Sequence, residues 1–129
     1  MTRNIFVDFV QDYIKPVYDL VLKNQKLTLK EYYDGANVRI LSRNVDNDFR
    51  INNFELVHAL GHGVGLDIHE EPVISSRRGD FILRENMVIT DEPGIYISGK
   101  FGVRIEDTVV ITKSGAKILT KSSKDYVII

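Results

Sequence analysis

Hydrophobic residues near the start of the chain recur at steps of three and four positions, which is the period of an amphipathic helix. The residues that follow this step are Phe6, Val10, Tyr13, Val17 and Val21. Pro16 interrupts the run, and proline is tolerated in a helix only within its first turn. We therefore predict a helix that kinks or begins near Pro16 and extends to about Lys23.

A second helix is predicted to begin at Thr28. Thr28 and Glu31 have the spacing of a capping box, in which each side chain accepts a hydrogen bond from a free backbone N–H of the first turn. The apolar face of this helix would continue through Leu29, Tyr33, Ala36 and Ile40. The segment 44–53 that follows is polar, and we predict a loop there.

The second half of the chain has the pattern of short strands separated by turns. A β-prone run at 87–90 ends before Pro93-Gly94. The residues at 95–97 lead into Ser98-Gly99-Lys100, which is a turn signal typical of a β-hairpin. We therefore predict that strands dominate from about residue 87 onwards.

A longer strand is predicted over residues 103–112, because its hydrophobic and polar positions alternate. One face would carry Val103, Ile105, Asp107, Val109 and Ile111, and the other Arg104, Glu106, Thr108 and Val110. A turn at Ser114-Gly115 precedes a return strand at 117–119. Helices first and strands later predict an α+β fold in which helices pack on one face of an antiparallel sheet.

Composition narrows the class of protein. The 129 residues carry 17 Lys and Arg against 18 Asp and Glu, so the net charge of −1 gives no basic field for nucleic acid or for an anionic membrane. No apolar run approaches the ~18 residues of a membrane span, and no signal peptide is visible. The absence of cysteine excludes disulfides, thiolate metal ligands and a cysteine nucleophile. We expect a cytoplasmic protein.

All 3 histidines fall in the segment from His58 to His69. His58 and His62 have the spacing of a zincin helix, but the glutamate that such a helix needs after its first histidine is replaced by Ala59. Glycines at 61, 63 and 65 also disfavour a helix. Glycine at alternate positions instead favours a strand that another backbone or a ligand approaches closely, with His62 on the opposite face.

Two glutamates lie near the predicted strand ends. Glu92 precedes the turn at Pro93-Gly94, and Glu106 lies on the polar face of the strand at 103–112, beside Arg104. A lone glutamate on such a face is usually solvated. A histidine with two glutamates on adjacent strands, however, offers the nitrogen and oxygen ligands of a site for a divalent metal ion.

Four segments resemble successive motifs of the pita-bread metallopeptidases, a family that includes Xaa-Pro aminopeptidase, Xaa-Pro dipeptidase and methionine aminopeptidase. They are Gly61-His-Gly-Val-Gly-Leu66, His69-Glu-Glu-Pro72, Met87-Val-Ile-Thr-Asp-Glu-Pro-Gly-Ile-Tyr96 and Val103-Arg-Ile-Glu-Asp-Thr108. The last of these is similar to the proline-specific branch. The resemblance implies a partial pita-bread fold, with residues 1–129 forming the C-terminal half of a catalytic domain whose helices pack on a curved antiparallel sheet.

The resemblance also implies roles for individual residues. His62, Glu92 and Glu106 match metal ligands, and Glu92 also matches the group that handles the proton of the attacking water. His69 matches a histidine that binds substrate and assists proton transfer, while His58 matches one near the carbonyl and carboxylate end of the substrate. Arg104 matches an arginine that orients the carboxylates. The implied cofactor is Mn²⁺, Zn²⁺ or Co²⁺, and the implied substrate is a peptide with proline at its second position.

One departure from the family limits this interpretation. The family has two further aspartate ligands, the second of which precedes a Met-Thr-Arg or Ile-Thr-Arg segment, and here that segment is Met1-Thr2-Arg3. Both positions fall outside the sequence, so we expect little or no peptidase activity from this chain alone. We also expect self-association or a complementing N-terminal half. The alternatives are a non-catalytic binding or assembly module, a partner-completed half-enzyme and, less favoured, a methionine aminopeptidase.

Overall fold

Two helices pack on one face of a five-stranded antiparallel sheet in the computed structural model, which describes residues 1–129. The helices are α1 (Lys15–Glu31) and α2 (Val38–Ile51), and the strands are β1 (Ile5–Phe6), β2 (Gly61–Gly63), β3 (Glu70–Ile74), β4 (Val88–Asp91), β5 (Gly94–Ile97), β6 (Phe101–Arg104), β7 (Asp107–Thr112), β8 (Gly115–Ile118) and β9 (Val127–Ile128). The sheet order is β3-β2-β4-β7-β8, while β5 and β6 form a separate hairpin and β1 pairs with β9 in parallel. The predicted α+β class is confirmed.

Helix α1 begins beside Pro16, as predicted, but it does not end at Lys23. It continues to Glu31, so the prediction of a new helix starting at Thr28 is wrong. The Thr28 hydroxyl donates to the carbonyl oxygen of Asn24, at 2.8 Å, instead of capping a first turn. Serine and threonine in a helix often bond to the carbonyl four residues back, and the spacing of a capping box does not distinguish the two arrangements.

The polar segment 44–53 is largely helical, because α2 extends to Ile51, and the predicted loop is therefore wrong. The buried residues of α2 follow the helical period; they include Val38, Leu41, Val45 and Phe49. Polar residues between them concealed that period in the sequence. The true start of the helix is marked by Asn37, whose side-chain oxygen accepts a hydrogen bond from the backbone N–H of Arg39.

The strand prediction for residues 103–112 has the right faces but misses an interruption. Alternate residues from Val103 to Ile111 are buried, as expected. The strand is nevertheless divided at Ile105 and Glu106, because β6 pairs with β5 whereas β7 pairs with β4. At the division the N–H of Glu106 donates to the carbonyl oxygen of Thr2. The predicted strand at 87–90 and the hairpin around 98–100 are confirmed.

The hydrophobic core lies between the helices and the sheet. Its largest fully buried residues come from both layers, among them Tyr18, Phe49, Leu60, Ile89 and Ile111. No helix has the length and hydropathy needed to cross a bilayer. The opposite face of β2 and β4 is free of helices, and the sequence-predicted site residues lie on it.

Candidate active site

His62 lies on β2 between two glycines, and a larger residue at either glycine would collide with a neighbouring strand. A Cβ atom at Gly61 would collide with the carbonyl oxygen of Thr90 on β4, and one at Gly63 with the carbonyl oxygen of Glu71 on β3. The two neighbouring strands therefore approach the backbone on both sides of His62. This confirms the expectation that the glycines mark a closely approached strand rather than a helix.

His62 and Glu92 form the centre of the site. The imidazole Nε2 of His62 lies 3.2 Å from Oε1 of Glu92, and each side chain is 14% exposed. Thr90 joins the two residues: its hydroxyl donates to the same Glu92 oxygen, at 3.0 Å, and accepts a hydrogen bond from the backbone N–H of His62, also at 3.0 Å. The pair is therefore held by the strand backbone as well as by direct contact.

The chemistry of this pair suits a cation. Nδ1 of His62 lies 2.9 Å from the carbonyl oxygen of Gly63, which can only accept, so Nδ1 carries a proton. Nε2 then faces a carboxylate oxygen, an arrangement that needs a proton or a cation between the two atoms. Ligand distances of about 2.0–2.2 Å are usual for zinc with imidazole and carboxylate. Two atoms 3.2 Å apart are thus compatible with binding one ion.

His58 and Tyr96 form a second pair at the site. Nδ1 of His58 donates to the carbonyl oxygen of Ala59, so Nε2 accepts a hydrogen bond from the Tyr96 hydroxyl, at 3.0 Å. Burial and the negative charges of Glu92 and Glu106 raise the pKa of Tyr96, although Arg104 acts in the opposite direction. Tyr96 therefore remains a hydrogen-bond donor at neutral pH, directed at His58.

Glu106 does not join His62 and Glu92 directly. Its Oε2 accepts a hydrogen bond from the Thr2 hydroxyl at 2.5 Å, and its Oε1 lies 3.4 Å from the N-terminal ammonium. Thr2 in turn accepts a hydrogen bond from Nε of Arg104, at 3.1 Å. Arg104 reaches towards Glu92 as well, with Nη1 4.0 Å from Oε2. Arg104 thus reaches Glu92 directly and Glu106 only through Thr2.

A cavity of about 620 Å³ gathers five of the six sequence-predicted site residues. It is lined by His58, Ala59, His62, His69, Glu70, Glu71, Val73, Glu92, Tyr96 and Arg104. The ring centroids of His62 and His69 are 4.4 Å apart, and the exposed His69 lies at the outer rim. Glu106 is not among the lining residues, and no three His, Asp or Glu side chains are arranged to hold a metal ion. The donor types fit a divalent ion, but this chain assembles only part of a ligand set.

Three residues at the site were not assigned roles from the sequence: Thr2, Thr90 and Tyr96. Thr90 could have been found, since it lies on β4 two positions before Glu92, which directly follows the strand, and an extended chain puts such residues on the same side. Tyr96 gave no such signal, because its contact with His58 spans 38 positions. Thr2 meets Glu106 from 104 positions away, which no local pattern reveals.

A second pair of carboxylates, Asp91 and Asp107, lies directly behind the site. Asp91 on β4 and Asp107 on β7 are register partners, and both are fully buried between the sheet and helix α1. Burial raises the pKa of Asp91 well above its usual range, and the Tyr32 hydroxyl donates to its Oδ1 at 2.9 Å. Its Oδ2 has no hydrogen-bond partner.

Asp107 is surrounded by donors. Arg3 contacts Oδ1 at 2.7 Å, while Gln25, at 2.8 Å, and Lys124 contact Oδ2. Burial would raise its pKa, but the hydrogen bonds from Lys124, Arg3 and Gln25 outweigh burial and lower it. Asp107 is therefore held as a charged group inside the protein.

Comparison with known proteins agrees with the motifs. The sequence model of metallopeptidase family M24 matches residues 1–113. A Xaa-Pro dipeptidase of Pyrococcus horikoshii is 42% identical over 130 residues, which cover 98% of this chain and 36% of that protein. A Xaa-Pro dipeptidase of Pyrococcus furiosus is also 42% identical, over 97% of this chain and 36% of its own length.

Solved structures show the same relationship. An X-Pro aminopeptidase from Thermotoga maritima superimposes with a TM-score of 0.92 at 38% identity, covering 98% of this chain and 36% of that one. A prolidase from Pyrococcus horikoshii gives a TM-score of 0.91 at 41% identity, covering 97% and 36%. The partial pita-bread fold is thereby confirmed. The chain spans about a third of the length of the relatives that it matches.

Proposed function

Because the chain belongs to metallopeptidase family M24, we propose that residues 1–129 are the C-terminal part of the catalytic domain of a metal-dependent Xaa-Pro peptidase. The observation that carries the proposal is the contact between His62 and Glu92 in a cavity shared with His58, His69 and Arg104. The relatives at 42% identity are Xaa-Pro dipeptidases, which supports the proline-specific branch over methionine aminopeptidase.

The site residues take complementary roles in this proposal. His62, Glu92 and Glu106 would hold a divalent ion, since neutral imidazole and carboxylate are ligands that Mn²⁺, Zn²⁺ and Co²⁺ share. A divalent ion supplies an electrophile for the scissile carbonyl and makes a water molecule acidic near neutral pH. Arg104 offsets the repulsion between the two glutamates, because it contacts Thr2 beside Glu106 and reaches towards Glu92.

Proton transfer and substrate binding fall to residues on the cavity wall. Glu92 accepts the proton of the attacking water at Oε2, because Thr90 and His62 engage its Oε1 while the side chain lines the cavity. His69 is exposed at the rim, where its ring can donate a hydrogen bond to the carbonyl oxygen of a bound peptide. His58, with its Nε2 engaged by Tyr96, lies further along the same cavity and would contact the end of the substrate beyond the proline.

We propose further that polypeptide beyond these 129 residues completes the ligand set. The observation behind this is that no three donors are gathered in the chain and that its relatives are about three times as long. Apolar side chains beside the site are open for such a contact: Leu66 and Ile68, in the segment between β2 and β3, are 106% and 74% exposed. The completing segment would be an N-terminal half or, failing that, a second copy of the chain.

A chimera tests the proposed activity. The part of the Pyrococcus horikoshii Xaa-Pro dipeptidase that aligns with this chain is replaced by residues 1–129, and hydrolysis of Met-Pro and Met-Ala is measured with Mn²⁺. We expect cleavage of Met-Pro well above that of Met-Ala. Adding the remainder of the dipeptidase as a separate polypeptide tests the partner-completed alternative in the same assay.

Matched variants of the chimera identify the source of any activity. Glu106→Gln should reduce hydrolysis by at least 100-fold, whereas the exposed Glu85→Gln should leave it unchanged. A folded chimera that cleaves neither dipeptide would contradict the peptidase proposal and favour a binding or assembly module. Equal cleavage of Met-Pro and Met-Ala would contradict the proline specificity. Repeating the assay with Zn²⁺ and Co²⁺ measures the metal preference. Fractionation of the source cells tests the expected cytoplasmic location.

A further inference from the structure

We propose that Arg3 is a positioning residue for Glu106, which it presents to the site by clamping the backbone of Glu106 to that of Thr2. This inference rests on the proposed role of Glu106 as a metal ligand. Arg3 does not itself reach the cavity that holds His62 and Glu92. It lies behind Glu106, with only 9% of its side chain exposed.

Every N–H group of the Arg3 guanidinium has an acceptor. Nη1 donates to the carbonyl oxygens of Thr2 and Glu106, at 2.9 and 2.6 Å. Nη2 donates to Oδ1 of Asp107 at 2.7 Å and to the carbonyl oxygen of Ser122 at 3.0 Å, and Nε donates to that of Ser123 at 2.9 Å. A guanidinium has five such groups, so its orientation is fully determined.

The contact with Glu106 falls at a break in the strand pairing. Glu106 lies between β6 and β7, at the point where the chain changes pairing partner from β5 to β4. Its only ladder contact there is an isolated antiparallel bridge with Thr2. Arg3 bonds to the carbonyl oxygens of both residues in that bridge, so it holds the two backbones in register.

The clamp acts on the Glu106 carboxylate through Thr2. The Thr2 hydroxyl donates to Glu106 at 2.5 Å and accepts from Arg104. Fixing the Thr2 backbone therefore fixes the donor that directs the carboxylate. A shift of the bridge would move that donor and leave the carboxylate free to turn away from Thr2.

Arginine is specifically required for this role. Its planar fork bonds several acceptors in fixed directions, whereas the lysine ammonium acts as a compact point charge on a flexible stem. Arg3→Lys should therefore keep the charge beside Asp107 while losing the simultaneous contacts with Thr2 and Glu106. That variant separates the electrostatic contribution to folding from the positioning of Glu106.

The test compares the 129-residue chain with its Arg3→Lys, Arg3→Met and Leu41→Ala variants. Leu41 is buried in α2 and takes no part in the hydrogen bonds of Arg3, so Leu41→Ala serves as a destabilised control. Crystal structures of the wild type and of Arg3→Lys give the position of the Glu106 carboxylate relative to Thr2. Mn²⁺ affinity is measured by electron paramagnetic resonance, and thermal stability by circular dichroism.

We expect Arg3→Lys to melt closer to the wild type than Arg3→Met does, yet both should bind Mn²⁺ about ten-fold more weakly. Leu41→Ala should lose stability and keep the affinity. The carboxylate of Glu106 should lose its contact with Thr2 in the crystals of Arg3→Lys. An affinity that follows melting temperature across all variants, or a Glu106 that is unmoved in Arg3→Lys, would overturn the proposal. If the wild type binds no Mn²⁺, as the partial ligand set of this chain allows, the crystal structures alone decide the positioning claim.

Discussion

Two pairs of carboxylates lie at the end of β4 and at the start of β7, as neighbours in sequence with opposite environments. Glu92 and Glu106 lie on the face without helices, each with a partly accessible side chain. Asp91 and Asp107 lie on the other face, fully buried against α1. The same chemical group is thus placed to serve a ligand on one face and the fold on the other, because successive residues at a strand end point to opposite sides.

The two pairs differ in how their charges are balanced. Asp107 has two cations and an amide within the protein, and Asp91 avoids charge by burial. On the open face, Oε1 of Glu92 instead faces the Nε2 of His62. The charge of Asp107 is therefore balanced within the protein, whereas the open pair is suited to an added cation.

The largest expected effect is on stability, from Asp107→Asn. The substitution leaves the mostly buried Arg3 and Lys124 without their counter-charge, which should cost about 3–5 kcal/mol in the free energy of unfolding. Glu106→Gln should cost less than about 1 kcal/mol, because its ion pair with the N-terminal ammonium is partly solvated. Urea denaturation of both variants measures the difference. An equal loss of unfolding free energy in the two variants would show that Asp107 and Glu106 contribute equally to folding, contrary to the account.

A smaller loss is expected from Lys124→Met. Lys124 lies in the tail beyond the residues matched by the family model, and it bonds to both Asp107 and Gln25. Removing one of the two cations beside Asp107 should cost about 2 kcal/mol, because the hydrogen bonds to the charged carboxylate are only partly replaced. The exposed Lys121→Met is the matched control and should change stability by less than about 0.5 kcal/mol. If Lys124→Met leaves the free energy of unfolding unchanged, Arg3 alone is sufficient to neutralise the charge of Asp107.

The smallest effect concerns pH, through Asp91→Asn. The pKa of Asp91 is raised in the folded state, so its contribution to stability is present below the unfolded pKa and is lost as pH rises towards the folded value. An asparagine keeps an oxygen for Tyr32 and does not titrate. The stability of Asp91→Asn relative to the wild type should therefore be greater at pH 8 than at pH 4, measured by denaturation in EDTA. A difference that is constant with pH would contradict a neutral Asp91.

The sequence predicted the open pair better than the buried pair. Glu92 and Glu106 lie within motifs, Arg104 shares the motif of Glu106, and His62 lies in another motif of the same family resemblance. Asp107 was correctly placed on the apolar face of its strand, but nothing local indicated what would neutralise it. Its partners Arg3 and Lys124 come from opposite ends of the chain, 104 positions before it in the case of Arg3.

The helices show why local patterns failed elsewhere. The capping-box spacing at Thr28 was present, yet Thr28 is buried in the last turn of α1. Conversely, the polar run at 44–53 hid two core residues, Val45 and Phe49, at helical spacing. In both cases the residues are buried by tertiary packing, which propensity over a few residues does not register.

The most direct test of the division between the two faces is Mn²⁺ titration calorimetry on the chimera described above. Wild type, Glu92→Gln, Glu106→Gln and Asp91→Asn are compared. We predict that each glutamate variant weakens Mn²⁺ binding by about ten-fold or more, while Asp91→Asn keeps the wild-type affinity within about two-fold. Unchanged affinity in the glutamate variants, or an equal loss in Asp91→Asn, would contradict the account.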